Sequence, residues 1–324
     1  MTIVKPIIPE NFYRPSAWQT LLYVVYGLSL SLIPCYMIGL LFETSIPMVL
    51  KIVLSLPCMV VAGYGGFMLA VAGHEGFHFT LHPNRRASGA LGVMISSLVP
   101  GAFAVGFFAS HWEHHRYTNQ PSDPDCKTFS RFRTFFQRLF FARLAANRNY
   151  LRYTLAMAAG RDLGFKYKPP FSRSEMQMFA LFNVGCQIVV VTCFAVLAWA
   201  HTYLFLQYVA VPMVGIIFIG GLSPYQMHAG TGLGLGYDSR TNSSAFWTLL
   251  QAGSNYHNEH HLYPRVPCWR LPQVHRILLR EDFYKGGDMC LEPRFWAAFM
   301  QASSAYQLAA TVDVDSETDD FNET

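Results

Sequence analysis

Charged residues are scarce in this sequence. Asp, Glu, Lys and Arg together make up 14% of its 324 residues, whereas soluble domains carry roughly 25%. Hydrophobic residues reach 52% and aromatic residues 15%. So low a charge content argues against a soluble protein and gives no basis for a nucleic-acid partner, and it favours an integral membrane protein.

Three other features are also missing. The seven cysteines include no CxxC pair, and Cys35, Cys58, Cys186 and Cys193 lie in apolar runs, so we interpret them as small hydrophobic residues rather than disulfides or metal ligands. The N-terminal segment lacks the pattern of a cleaved signal peptide, so the first span is expected to direct insertion. No appended haem or flavin module is recognisable, and we therefore expect electrons to come from a separate donor.

Four apolar runs are long enough to cross a bilayer, which takes about 20 residues. They cover residues 21–41, 49–73, 178–200 and 203–222. A fifth apolar run, residues 87–110, is interrupted by glycines and by Pro100. We expect this run to form a re-entrant or interfacial helical hairpin instead of a fifth span.

The basic residues predict the orientation of the spans. Of the 24 Lys and Arg residues, only Lys51 lies in or beside the segments that join spans one to two and three to four. The positive-inside rule therefore predicts that both termini and the middle of the chain are cytoplasmic. Residues 119–173 combine arginines with recurring phenylalanines, which is typical of amphipathic helices that lie along the headgroups.

These patterns together predict an all-α integral membrane fold. We expect four transmembrane helices, the re-entrant or interfacial hairpin, and a cytoplasmic helical cap. Residues 1–312 are expected to form one domain. Residues 313–324 contain six acidic residues and are expected to form a disordered acidic tail.

Histidines are concentrated at the predicted cytoplasmic face. Nine of the twelve fall there, under a topology that was drawn from Lys and Arg alone. They are His74 and His78 in HEGFH, His111, His114 and His115 in HWEHH, His228 in PYQMH, and His257, His260 and His261 in HNEHH. Because residues three and four apart share a helix face, His257, His260 and His261 are expected to converge on one point. The sequence therefore predicts metal binding.

Nine imidazoles exceed the three or four protein ligands of one zinc site and suit two metal ions with four or five nitrogens each. Imidazole binds zinc, copper, iron and nickel, so the residues alone leave the metal open. HEGFH also matches the HExxH motif of zinc proteases, with Glu75 as the general base. That alternative class uses a single zinc and leaves the other two clusters unexplained.

The three clusters resemble those of the membrane fatty acid desaturase and hydroxylase superfamily. The resemblance is carried by HEGFH, HWEHHRYTNQPSDPD and NYHNEHHLYPRVPCWRLP, and it extends over nearly the whole chain. It implies a non-haem di-iron centre on the cytoplasmic side and O2-dependent oxidation of an unactivated C–H bond in a long-chain lipid. It makes the eight clustered histidines iron ligands, and His228 matches an extra histidine that many members carry.

The resemblance leaves several reactions open. Fatty acyl desaturation is the first expectation. The alternatives are hydroxylation or ketolation of a fatty acid or carotenoid, oxidative decarboxylation of a fatty acid to a terminal alkene, and a non-enzymatic iron protein. An external ferredoxin, or a cytochrome b5 type of donor with its reductase, is the expected source of electrons.

Polar residues near the histidines are predicted to support them. Carboxylates or amides would accept the free imidazole N–H groups, and the candidates are Glu75, Asp123, Asp125 and Asn255, followed by Glu113 and Glu259. A lipid headgroup would meet Arg85, Arg86 or Arg116. His82, His201 and His275 stand outside the predicted site.

Overall fold

The described chain is mostly helical. The computed structural model describes residues 5–286 and 290–306. Its α-helices are α1 (Ala17–Glu43), α2 (Met48–Phe77), α3 (Arg85–Ser96), α4 (Ala104–Tyr117), α5 (Pro124–Phe129), α6 (Phe135–Gln137), α7 (Arg143–Ala158), α8 (Arg173–Ala200), α9 (Thr202–Phe205), α10 (Val211–His228), α11 (Ala245–Leu250), α12 (His257–Leu262), α13 (Leu271–Arg280) and α14 (Ala297–Ala302). The strands β1 (Arg240–Thr241) and β2 (Cys290–Leu291) pair in parallel.

Short helical turns complete the chain. There are 3₁₀ turns at Glu10–Tyr13, Cys268–Arg270 and Phe283–Gly286, and π turns at Arg138–Ala142 and Leu206–Ala210. The second π turn joins α9 to α10, so that Thr202–His228 forms one long helix. The predicted acidic tail lies outside the described residues.

Four helices of the described part are long and apolar enough to cross a membrane, as predicted. They are α1, α2, α8 and the helix Thr202–His228. Many of their large apolar side chains, such as Val53, Val189 and Trp199, are exposed on the outer surface, as expected for contact with lipid. These helices extend past the predicted apolar runs because polar residues at their ends continue the helical hydrogen-bonding pattern.

Helix α2 is the central element. It packs against α1, α3, α4 and α10, and its glycines let neighbouring backbones approach closely. A Cβ atom built on Gly63 would lie 2.5 Å from the Cα of Gly215 in α10, and one built on Gly76 would lie 2.6 Å from the Cα of Gly92 in α3. Larger residues at either contact would push the helices apart.

The fifth apolar run forms the hairpin of α3 and α4, neither of which is long enough to cross a membrane. Its tip, residues 97–103, lies beside the middle of α8 rather than at its end. The Asn183 and Gln187 side chains of α8 satisfy this non-helical backbone. Asn183 accepts from Val105 N at 3.3 Å, whereas Gln187 accepts from Gly101 N at 2.9 Å and donates to two carbonyls within 3.2 Å. That the hairpin is re-entrant or interfacial stays a prediction.

The basic middle segment contains α5, α6 and α7, as its pattern predicts, and α7 packs against α4 and α8. Beyond α10, the helices α11 to α13 and the strand pair form a cap at the end of the bundle. The two-residue strands were not predicted, because so short a pairing leaves no alternating pattern in the sequence.

We expect Asn183→Leu and Gln187→Leu to lower the free energy of unfolding by about 1–3 kcal/mol each, because buried backbone groups of the hairpin tip lose their partners. Thermal unfolding in detergent would measure the change. Val189→Leu, at an exposed position of the same helix, is the matched control and should leave the stability unchanged. Equal melting temperatures for all three variants would contradict this role of the two amides.

Candidate metal centre

The first histidines lie at the ends of long helices. Helix α2 has 30 residues and is therefore roughly 45 Å long at 1.5 Å per residue, which exceeds the roughly 30 Å of the hydrocarbon core. At its C-terminal end, His74 occupies the last turn and His78 caps the helix. Helix α10 ends in the same way at His228.

The other histidines are carried by short helices that dock at this end. His111, His114 and His115 lie in the C-terminal half of α4, and His257, His260 and His261 lie in α12. All nine are buried or nearly so. Contacts between residues far apart in the chain assemble the cluster. For example, the Nε2 atoms of His74 and His260 lie 2.9 Å apart although 186 positions separate them.

The nine imidazoles form two adjacent groups. In each group, one ring nitrogen of every member lies within 4.8 Å of those of the others. The first group has five histidines, His74, His78, His111, His115 and His260, and the second has four, His114, His228, His257 and His261. The groups are neighbours, since the ring centroids of His115 and His261 are 4.5 Å apart.

This division corrects the expectation that His257, His260 and His261 meet at one point. His257 and His261 belong to the four-histidine group, whereas His260 belongs to the five-histidine group. Neighbouring helix residues point about 100° apart, so His260 and His261 cannot face the same centre. The same reason separates His114 from His115, and His111 falls in the same group as His115, which lies four positions away and so about 40° around the helix.

The hydrogen-bond partners of the rings are compatible with a bound cation. Nδ1 of His228 donates to the Asp238 carbonyl oxygen at 2.9 Å, and Nδ1 of His114 donates to Asp123 at 2.9 Å. A neutral imidazole with Nδ1 protonated has a lone pair at Nε2. Yet Nε2 of His228 lies 2.9 Å from Nε2 of His257. Lone pairs converging at such distances are stabilised by a metal ion between them.

His78 adds an independent observation. Its ring is buried, and neither nitrogen has a hydrogen-bond partner. Buried polar groups are normally paired, so an unpaired imidazole that points into a cluster of other imidazoles is the kind of group that a metal ion would satisfy. The donor set of the two groups therefore fits metal ions that prefer nitrogen.

Burial sets the charge of most of these rings. It lowers the pKa of His78, His111, His115, His257, His260 and His261 well below the usual value, and neighbouring imidazoles lower it further. These rings are therefore neutral and can donate lone pairs at neutral pH. His114 differs. Burial opposes its charge, but the carboxylate of Asp123 outweighs burial and raises its pKa to about 9.

Two of the predicted supporting residues form hydrogen bonds with histidines of the two groups. Glu75 lies 3.1 Å from Nδ1 of His74 and also accepts from the Thr80 hydroxyl and the Cys268 N–H. Asp123 accepts from His114 and from the backbone of Asn119 and Asp125. Because its oxygens are occupied in this way, Glu75 is poorly placed to act as the general base of a zinc protease.

Asp125, Asn255, Glu113 and Glu259 have other surroundings. A carboxylate oxygen of Asp125 lies within 4.8 Å of ring nitrogens of His111 and His114, between the two groups. Asn255 instead donates to the Asn242 carbonyl and the Thr248 hydroxyl, and Glu113 accepts from the backbone of residues 166 and 167. Glu259 accepts from Thr241, His275 and Tyr284. Asn255, Glu113 and Glu259 therefore hold the surrounding segments together.

Sequence reasoning missed two supporting residues. The Asp238 carbonyl accepts from His228, and its carboxylate lies 3.6 Å from Nδ1 of His261. The only feature of the sequence that could have indicated Asp238 is that it is an acidic residue ten positions after His228. His275 is the second of these residues. Its Nδ1 atom lies 2.5 Å from a carboxylate oxygen of Glu259, and this contact connects α13 to α12.

An apolar cavity reaches the histidines. Its walls come from α2, α4, α7 and α10 and include Phe67, Val71, Phe107 and Met227, and the histidines that line it are His74, His111, His114, His228, His257 and His260. A cavity with this lining suits an apolar chain.

None of the three arginines predicted to meet a headgroup lines this cavity. Arg85 lies over the Phe79 ring at 5.3 Å, Arg86 forms an ion pair with Glu175 at 2.7 Å, and Arg116 is partly exposed. The arginine that does line the cavity is Arg143, which the sequence pattern did not distinguish from the other basic residues of its segment.

We expect Asp123→Ala to weaken metal binding at the four-histidine group by about 10–100-fold, as the loss of such supporting contacts commonly does. The physical reason is that Nδ1 of His114 loses its acceptor. Competition with a chelator would measure the affinity. Asp123→Asn keeps an acceptor oxygen and should retain most of the metal affinity. Asp162→Asn, at an exposed site, is the control. Equal weakening at both groups would indicate general unfolding instead.

The comparisons with known proteins agree with this geometry. No curated protein matches the chain. The sequence model of the family described as fatty acid desaturase matches residues 51–293, which is 243 of the 324 residues. The match spans α2 through β2 and thereby includes all nine histidines. On this basis, the chain belongs to the fatty acid desaturase family.

Proposed function

We propose that this protein is an O2-dependent di-iron oxidoreductase that desaturates a long-chain acyl group taken from the bilayer. Membership of the family indicates lipid oxidation at a metal site. The observation that carries the finer proposal is the pair of adjacent groups of five and four imidazoles, with members of both groups lining an apolar cavity.

The proposed ligands follow from the two groups. His74, His78, His111, His115 and His260 would hold one iron, and His114, His228, His257 and His261 would hold the other. When bound, the irons would supply the O2-dependent oxidation of a C–H bond. Asp125, whose carboxylate lies within 4.8 Å of ring nitrogens of His111 in one group and His114 in the other, would be available as a further ligand.

The protein's own residues would position the substrate. Phe67, Val71 and Met227 surround a chain with apolar contacts and exclude water, and Phe107 packs against the His111 ring with centroids 4.9 Å apart. Glu75, Asp123 and Asp238 fix the orientation of the imidazoles, so that their lone pairs face the metal ions. The register of the chain in the cavity then determines which C–H bond lies beside the irons.

We further propose a cytoplasmic site that is served by an external electron donor. The spans are joined at the opposite end by residues 44–47 and by His201, so both termini share the face that carries the histidines. This basic face suits a ferredoxin or a cytochrome b5 type of donor with its reductase. Residues 1–312 would form the single domain, and the α3–α4 hairpin would be re-entrant, since α8 satisfies its tip.

We expect expression in a lipid-rich host to yield acyl products that are two mass units lighter than their precursors, and this yield should depend on O2. Mass spectrometry of lipids, free acids and hydrocarbons would measure it. A product sixteen units heavier would indicate hydroxylation, and loss of the carboxyl carbon would indicate decarboxylation. Either result would contradict desaturation but would still be consistent with the proposed metal site.

We expect the purified protein to bind about two irons, one for each histidine group. His260→Ala and His228→Ala should each lose about one iron and most of the activity, because each removes a ligand from a different group. Elemental analysis and product yield would test this. His201→Ala, in the turn at the far end of the bundle, is the control. A single zinc in the wild-type protein would contradict the proposal.

A further inference from the structure

One charged side chain in the cavity wall forms no ion pair with another described residue. Arg143 lines the cavity, and its Nε atom is buried without a hydrogen-bond acceptor. None of the ion pairs among the described residues involves it. By contrast, Arg138 on the preceding turn donates to the carbonyls of Phe132, Arg133 and Ala302. An uncompensated guanidinium beside apolar walls is costly.

The backbone makes room for this side chain. A Cβ atom on Gly220 of α10 would lie 2.8 Å from Cδ of Arg143, so the absence of a side chain there lets the arginine stem lie across α10. Asn147 and Tyr150 follow Arg143 at helical spacing on the same face of α7. Tyr150 also lines the cavity, and the Oδ1 atom of Asn147 is buried and unpaired. Polar groups thus form a stripe along one wall.

Asp125 is the nearest candidate for neutralising Arg143. The two side chains interact electrostatically, but they do not form an ion pair within the described part of the chain. A carboxylate oxygen of Asp125 lies instead within 4.8 Å of ring nitrogens of His111 and His114. In the proposed function it is occupied near the metal ions, which leaves the guanidinium available to a ligand.

We propose that Arg143 binds the anionic head group of a single-chain lipid whose tail occupies the cavity. A guanidinium offers paired N–H groups that match the oxygens of a carboxylate or a phosphate, and the apolar walls accept the tail. The inference rests on the proposed function, since the same cavity leads to the histidines. The head group is either the carboxylate of a free fatty acid or the phosphate of a lysophospholipid.

The test compares three ligands that bind without turnover. Protein that has been incubated with ferrous iron, in neutral detergent, is titrated under anaerobic conditions with palmitate, lysophosphatidylglycerol and methyl palmitate, which lacks the charge. Wild-type protein should bind one of the anionic ligands at least about tenfold more tightly than the ester, as expected for one charge-assisted contact. Whichever anion shows the preference identifies the source of the head group.

Variants assign this preference to Arg143. Arg143→Met keeps the apolar stem and should bind the anionic ligand and the ester equally, whereas Arg143→Lys keeps the charge and should retain part of the preference. Arg148→Met changes an exposed arginine of the same helix and should behave like the wild type. Equal binding of all three ligands by the wild type, or an unchanged preference in Arg143→Met, would overturn the inference.

Iron content separates this inference from the proposed function. If the protein binds two irons and oxidises lipids but shows no Arg143-dependent preference, the head-group inference fails and the proposed function stands. If the preference is present but the protein binds no iron, the proposed function fails, and the cavity is a site for an anionic lipid with another role.

Discussion

The structure depends on the electrostatics of imidazole rings that are packed together at one end of a helical bundle. Nδ1 of His74, His114 and His228 each lies within 3.1 Å of an acceptor. In His74 and His228, Nε2 then faces Nε2 of another histidine at 2.9 Å. A metal ion would stabilise nitrogen lone pairs that converge in this way. The surrounding fold therefore holds these histidines close together as candidate metal ligands.

The bundle provides the necessary rigidity. Helices α2 and α10 contact each other through glycines. Both α2 and the continuous helix Thr202–His228 are longer than the apolar thickness of a bilayer, and His74 and His228 lie in their last turns. The α3–α4 hairpin brings one histidine cluster to the same end, and α12 brings another through the contacts of Glu259 with Thr241, His275 and Tyr284. Each histidine thus belongs to an element that is held in place by contacts outside the two histidine groups.

Buried polar groups elsewhere divide into two kinds. Asn183 and Gln187 lie in a membrane-spanning helix, and their hydrogen bonds to the hairpin tip explain their presence among apolar neighbours. Arg138 is likewise satisfied by backbone carbonyls. The ring nitrogens of His78 and the Nε atom of Arg143 are buried without hydrogen-bond partners; the first lie in the histidine cluster and the second belongs to a residue that lines the cavity. This difference distinguishes structural polar residues from those available to a ligand.

The sequence by itself determined the four spans, the helical hairpin and the nine histidines, because a run of about 20 apolar residues and a short histidine motif are local properties of a chain. It also identified Glu75 and Asp123, which lie next to histidine motifs. Only the tertiary structure decided how the histidines divide into groups of five and four, since that division depends on how α4 and α12 are rotated against α2 and α10. Asp238, His275 and Arg143 acquire their roles through contacts with distant segments, and no local pattern encodes such contacts.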